Sequence, residues 1–160
     1  MDDKLTTCLW FPNRDGLDAA QFYAKTFPDS EVLDAMHAST DYPGGSAGDV
    51  LAVNFTVLGR PFMALNSRPE ISPNHSVSFI VITEDQDETD RYWNAIIDNG
   101  GEADECGWCR DRWGFSWQIT PRILLEGMQH SDPLTAQRVM TAMMTMVKID
   151  VAQIEAALAG

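Results

Sequence analysis

The sequence is short of basic residues, and it contains no long hydrophobic run. Only 11 Lys and Arg stand against 24 Asp and Glu, which gives a formal net charge of −13. Proteins that bind nucleic acids or anionic membrane surfaces use Lys and Arg to neutralise phosphates, so we expect neither partner. No stretch approaches the roughly eighteen consecutive apolar residues of a transmembrane helix, so no membrane span is predicted.

Cysteine and histidine are also scarce, with three residues of each. A secreted disulfide framework normally has an even and denser set of cysteines. The N-terminal stretch MDDKLTTCLWF lacks the basic region that precedes the apolar part of a signal peptide. We therefore expect a cytoplasmic protein with reduced thiols.

The residues that are present predict a duplicated module of one strand, one helix and three strands. In the first module the strands are 6–11, 31–38, 50–58 and 61–66, and the helix starts near Leu17. In the second the strands are 76–82, 102–109 and 115–120, with a helix carrying Tyr92 and Trp93. Leu9 to Phe11 corresponds to Phe79 to Val81 at an offset near 70 residues. A repeat of this length must be recognised before the fold is assigned.

The remainder of the chain predicts connections and a helical tail. Residues 39–49 (STDYPGGSAGD) are rich in Gly and Ser and predict a loop, and 67–74 predict a linker. Asp15 and Asp150 have the position of helix caps, and Asp132-Pro133 predicts a helix start. The predicted organisation is a domain over 1–121, with module one at 1–67 and module two at 75–121, followed by a helical extension over 122–160.

In this order, the segments resemble the vicinal oxygen chelate superfamily, which includes glyoxalase I, extradiol dioxygenases and fosfomycin resistance proteins. The chain is most similar to its PhnB-like group, whose domain often carries the label 3-demethylubiquinone-9 3-methyltransferase. The matching stretches are Leu9-Trp10-Phe11, Phe22-Tyr23, Arg91-Tyr92-Trp93, Cys106-Gly107-Trp108 and 111–118 (DRWGFSWQ), with Ser131-Asp132-Pro133 in the tail. The resemblance implies an α+β fold of two βαβββ modules that form a cupped sheet, and a homodimer.

The resemblance also implies positions for a divalent metal on the first and last strands of each module. These positions map to about Thr7, to Met63 or Ala64, to about Ser76, and to Gln118. Only Gln118 is a ligand type, and a neutral amide is weaker than Glu. His75 lies next to one mapped position and is either a ligand or an exposed loop residue, whereas His37 and His130 have no partner at metal spacing. We therefore predict no catalytic metal and no cofactor.

A cup without metal still suits a small organic ligand, because it combines aromatic walls with a few polar groups. We expect its lining to include residues of the 39–49 loop and five strand residues, namely Thr7, Leu9, Ser78, Trp117 and Gln118. Trp117 and Trp108 could instead be core residues. The methionines of the tail helix, Met140, Met143, Met144 and Met146, fit either packing against the domain or a dimer contact.

Three functions follow as hypotheses. The first is a small-molecule-binding protein without a catalytic metal, and the second is a metal-dependent lyase or dioxygenase that uses Gln118. The third is a thiol redox protein based on Cys106-Gly107-Trp108-Cys109 (CGWC). A strand would place these two thiols on opposite faces and roughly 10 Å apart, which disfavours a disulfide unless a bulge at Gly107 changes the geometry. Methyl transfer is not expected, since Gly44-Gly45 leads into a strand and the module order is not doubly wound.

Overall fold

The computed structural model describes residues 4–66, 68 and 72–160, and it divides into two compact units, 1–73 and 74–160. The predicted linker lies at the junction, and its residues 67 and 69–71 are outside the described part of the chain. The helical tail lies in the same unit as the second module. Each unit is described by itself below.

Unit one contains a four-stranded sheet with a single helix on one face. Its elements are β1 (Thr7–Phe11), α1 (Gly16–Thr26), β2 (Val32–His37), β3 (Val50–Val57) and β4 (Arg60–Asn66). The strand order is β1-β4-β3-β2, with β1 parallel to β4 and the other pairs antiparallel. Tyr23 of α1 stacks on Phe55 of β3, with ring centroids 5.8 Å apart. The face opposite α1 is called the open face of unit one.

The start of α1 differs from the prediction that Asp15 caps it. Asp15 occupies the N-cap position, but its side chain makes no capping hydrogen bond. The backbone N–H of Gly16 donates instead to Oδ1 of Asn66, the last residue of β4, over 3.1 Å. An added Cβ at Gly16 would lie 2.8 Å from that oxygen, so only glycine allows this approach. The helix is therefore capped by the sheet.

Unit two repeats the same topology. Its elements are β5 (Ser78–Thr83), α2 (Gln86–Asp98), β6 (Glu102–Ala103), β7 (Trp108–Arg110) and β8 (Ser116–Pro121). The strand order is β5-β8-β7-β6, with β5 parallel to β8. The predicted α+β fold with two βαβββ modules is therefore confirmed.

The helix α2 identifies the two faces of the second sheet. Thr83 of β5 hydrogen bonds Thr89 of α2 through the two hydroxyls, which are 2.6 Å apart, so Thr83 faces the helix. Because side chains alternate along a strand, Val81 and Phe79 face the helix as well. Ser78, Ile80 and Ile82 lie on the opposite side, which is called the open face of unit two.

The predicted strand over 102–109 is wrong in its middle part. The chain leaves β6 after Ala103 and enters β7 only at Trp108. Between them Cys106 and Gly107 have positive φ angles of 59° and 81°, which ends the extended conformation. Their backbone N–H groups donate to the carbonyls of Met146 (2.8 Å) and Val147 (2.7 Å) in the tail.

The tail forms three helices: α3 (Arg122–Met128), α4 (Pro133–Met143) and α5 (Val151–Ala159). The sequence did not predict α3, whereas Asp132 and Asp150 cap α4 and α5 as predicted. The tail has its own buried cluster of apolar residues, Leu124, Val139, Met146, Ile149 and Ile154. No helix in the described part of the chain is long and apolar enough to cross a bilayer.

Candidate functional site

The five strand residues predicted to line a cup lie on different faces. Ser78 and Gln118 lie together on the open face of unit two, where the amide nitrogen of Gln118 donates to the Ser78 hydroxyl over 2.8 Å. Trp117 lies on the other face of β8 and is 1% exposed, beside Phe79 on the helix side. A molecule on the open face would not touch Trp117, so its placement in the lining is corrected.

In unit one, the predicted place of Leu9 in the lining is corrected for the same reason, because Leu9 faces the helix. It pairs with Ala64, whose side chain would lie 3.0 Å from a Cβ on Gly16 of α1, and it is 5% exposed. Thr7 lies two residues before Leu9 and therefore on the same side of β1, but it is exposed because it starts the strand. The residues of β1 on the open face are Cys8 and Trp10.

The open face of unit two brings an aromatic, an amide and an aliphatic side chain into one row. Gln118 of β8 pairs with Trp108 on β7 and with Ile80 on β5. Ile80 is 56% exposed, and Trp108 is partly exposed. The row offers one neutral hydrogen-bonding group between two apolar side chains, which is the usual character of a small-molecule surface.

A second row beside it is polar. Ser116 of β8 lies between Ser78 on β5 and Arg110 on β7. The Ser116 hydroxyl lies 3.1 Å from Nδ1 of His75, and the Arg110 guanidinium pairs with Glu102. Because Ser116 is 1% exposed, this Ser–His pair does not present a nucleophile to an incoming molecule.

The turn before β8 holds these rows in place. The carboxylate of Asp111 is 3% exposed and accepts the backbone N–H groups of Trp113 and Phe115, each over 3.0 Å. Its second oxygen accepts the indole N–H of Trp117 over 2.8 Å. With Trp117 fixed toward the helix, alternation directs Gln118 to the open face. Asp111 is therefore a structural residue of the turn.

The side chains at the mapped metal positions do not fit a divalent metal. Gln118 donates to Ser78 and supplies no carboxylate, and Met63 is a thioether on the open face of the other unit. Within residues 4–66, 68 and 72–160 no three His, Cys, Asp or Glu side chains are grouped so that they could hold an ion. Hard divalent cations prefer several oxygen or imidazole donors, and this set does not supply them.

The cysteines of CGWC are free thiols in different surroundings. Cys109 is buried on the helix side of β7, and its burial, with a smaller contribution from the charge of Asp111, raises its thiol pKa to about 12. A reactive cysteine requires a lowered pKa and access to solvent. Cys106 and Gly107 instead form the turn on which the tail docks, and Trp108 and Cys109 begin β7.

Unit one has a small depression at the end of its sheet, formed in part by the 39–49 loop, whose residues the sequence predicted as part of the cup lining. Trp10 and Leu65 of the open face meet Tyr42 and Pro43 of the 39–49 loop there, and Arg68 lies at its margin. Its volume is about 210 Å³. The alternation of β1 could have indicated Trp10, but only the fold shows that the loop lies beside it.

Comparison with known proteins agrees with the fold and the motif order. Residues 3–120 match the model of the family described as 3-demethylubiquinone-9 3-methyltransferase. A PhnB protein from Bacillus cereus is 27% identical, with a TM-score of 0.65, and the match covers 74% of this chain and 99% of that one. No curated protein matches the sequence.

Two further solved structures share the fold at low identity. A Pseudomonas aeruginosa protein is 19% identical with a TM-score of 0.58, over 75% of this chain and 98% of that one. The fosfomycin resistance protein FosX from Listeria monocytogenes, crystallised with Mn(II) and sulfate, is 12% identical with a TM-score of 0.51, over 73% and 89% of the two chains. The chain belongs to the 3-demethylubiquinone-9 3-methyltransferase family, the PhnB-like group of the vicinal oxygen chelate superfamily.

Proposed function

We propose that the chain binds a small organic molecule on the open face of unit two and does so without a metal. The observation that carries the proposal is the hydrogen bond of 2.8 Å from the Gln118 amide to the Ser78 hydroxyl, which gives a mapped metal position, Gln118, a neutral side-chain partner. Trp108 and Ile80 on either side of Gln118 supply apolar contact area. The amide fixes the orientation of the ligand, and the two apolar side chains provide most of its burial.

The chemistry available at this face favours binding over turnover. The two rows together hold an amide, two hydroxyls and the Arg110 guanidinium, which pairs with Glu102, whereas general acid–base catalysis needs a group whose pKa lies near the working pH. His75 is the one imidazole beside the described residues of the row, and it is engaged with the buried Ser116. A metal-dependent lyase or dioxygenase would need ligands in addition to Gln118.

The test is a small-molecule panel screened for an increase in melting temperature, once with a chelator present and once with Mn²⁺ or Zn²⁺. We expect the stabilising compounds to act equally in both conditions and to shift the indole N–H resonance of Trp108. Gln118→Leu, which keeps the size of the side chain but removes its amide, should weaken them about tenfold. Gln21→Leu on the exposed surface of α1 is the matched control.

Two results would count against the proposal. Binding or turnover that appears only with metal and is lost in Gln118→Leu would assign the chain to the metal-dependent enzymes. Compounds that bind without any response of Trp108 would place the site elsewhere.

A further inference from the structure

We propose that the depression of unit one binds a small aromatic carboxylate. All lining residues of this depression belong to unit one. Three features carry the inference: a loop wall held by an arginine, an apolar and aromatic lining, and the positive charge of Arg68 at the depression.

The loop that forms one wall is tied in place. The guanidinium of Arg14 donates to the carbonyl of Gly44 over 3.0 Å and pairs with Asp49 at 2.9 Å, and so joins the start of α1 to both halves of the loop. The other carboxylate contact of Asp49 is the backbone N–H of Ser46, at 2.8 Å. A wall fixed in this way is preformed, which reduces the entropy lost when a ligand binds.

The lining suits a flat ring. Trp10 is 36% exposed, a large fraction for an indole, its register partner on β4 is Leu65, and Pro43 of the loop lines the same depression. Aromatic rings prefer offset or edge contacts with other rings, so a planar ligand gains more here than a bulky aliphatic one. The volume of about 210 Å³ is below the usual range for drug-sized ligands and admits a single substituted ring.

The hydroxyl of Tyr42 is buried and has no hydrogen-bond partner among the described residues. Tyr42 also lines the depression, but its hydroxyl is covered by the loop itself, since a Cβ added at Gly45 would lie 2.3 Å from that oxygen.

Arg68 supplies the charge. It is exposed at the margin of the depression, and no ion pair joins it to another described residue. In a chain of net charge −13 an anionic ligand is repelled over most of the surface, so a local guanidinium decides where it can bind. A carboxylate also matches the planar fork of arginine donors.

The experiment titrates the full ¹⁵N-labelled chain with benzoate, with benzamide as its neutral isostere, and with cyclohexanecarboxylate as an anion without an aromatic ring. Benzoate should shift the indole resonance of Trp10 in a saturable manner, and the other two should bind about tenfold more weakly or not at all. Arg68→Gln should reduce benzoate affinity about tenfold, whereas Arg60→Gln, with the same charge change on β4, should leave it unchanged.

Each other outcome overturns the inference. Equal binding of benzamide and benzoate would show that the site does not recognise a carboxylate. Equal binding of cyclohexanecarboxylate would show that it does not require an aromatic ring. Shifts at Trp108 without shifts at Trp10 would leave the proposed function of unit two standing and exclude this site. A titration with no response anywhere would exclude this site as well, while the metal and chelator screen still decides the proposed function.

Discussion

At the scale of single residues, neighbours in sequence have opposite roles because the strand sends them to opposite faces. Trp108 stands on the open face beside Gln118, whereas Cys109, the next residue, is 1% exposed under α2. The same alternation separates Gln118 from Trp117. A shift of one residue along the strand therefore moves a side chain from the binding face to the core. We expect substitutions on the open face to affect ligand binding and substitutions on the helix side to affect stability.

Cys109 makes the stability of the fold sensitive to alkaline pH. Burial raises the pKa of its thiol in the folded chain from an ordinary 9.0 to about 12. Above pH 9 the unfolded chain loses this proton while the folded chain keeps it, so the free energy of unfolding falls as pH rises toward 12. The slope approaches about 1.4 kcal/mol per pH unit. Cys109→Ala should have a flatter profile in this window, measured by urea denaturation at pH 7 to 10.5.

Cys8→Ala is the comparison for that measurement. Partial burial also raises the Cys8 thiol pKa, against a smaller lowering by a hydrogen bond with Trp10, so its removal should flatten the profile less. Identical alkaline profiles for wild type and Cys109→Ala would contradict the argument.

At the scale of elements, the turn that contains CGWC and the tail depend on each other. The amides of Cys106 and Gly107 bind two successive tail carbonyls, and the side chain of Gln86 in α2 binds Ile149 O (3.2 Å) and Val151 N (2.8 Å). The tail thereby satisfies backbone groups that would otherwise lie at the broken edge between β6 and β7. Tail and module two consequently form one unit.

Gly107→Ala should destabilise this unit more than a comparable glycine substitution elsewhere. At Gly107 a Cβ would lie 2.9 Å from Cγ1 of Ile149 and 3.0 Å from the carbonyl of Ile119, at a φ of 81°. Strain and overlap together should cost about 2–4 kcal/mol in denaturant unfolding. Hydrogen exchange should show loss of protection in the tail.

Gly48→Ala is the matched control for that prediction. Its φ is 90°, yet no atom lies within 4 Å of an added Cβ, so only the conformational strain of about 1–2 kcal/mol remains. Equal destabilisation by the two substitutions would show that the contact with Ile149 contributes nothing.

At the scale of the whole molecule, the methionines of the tail divide into two groups. Met146 is 6% exposed and Met143 packs partly against the buried tail cluster, whereas Met140 and Met144 are 48% and 54% exposed. The tail helix predicted to carry all four methionines ends at Met143, so Met144 and Met146 lie beyond it. Met143 and Met146 fit core packing, whereas Met140 and Met144 are available for a contact with a second copy.

We expect a homodimer whose contact includes Met140 and Met144. Light scattering coupled to gel filtration should give twice the chain mass of 17.8 kDa. The double substitution Met140→Glu and Met144→Glu should give the monomer mass, because burying two carboxylates in an apolar contact is costly. The double substitution Ala152→Glu and Ala156→Glu, at two exposed positions of α5, is the control with the same charge change. A wild-type chain of monomer mass would contradict the expectation.

The sequence by itself determined the repeated βαβββ order, the family and the helix caps at Asp132 and Asp150, because these depend on local patterns and on motif spacing. Only the tertiary structure decided which strand residues face a ligand. Both faces of β1 and β5 carry apolar residues, so alternation alone could not assign Leu9 or Trp10 to the helix. Two contacts determine which face meets the helix: Tyr23 of α1 packs against Phe55, and Asp111 accepts a hydrogen bond from Trp117. The docking of the tail on Gly107 also could not be predicted from the sequence. It joins segments some forty residues apart through backbone hydrogen bonds, which leave no pattern in the side chains.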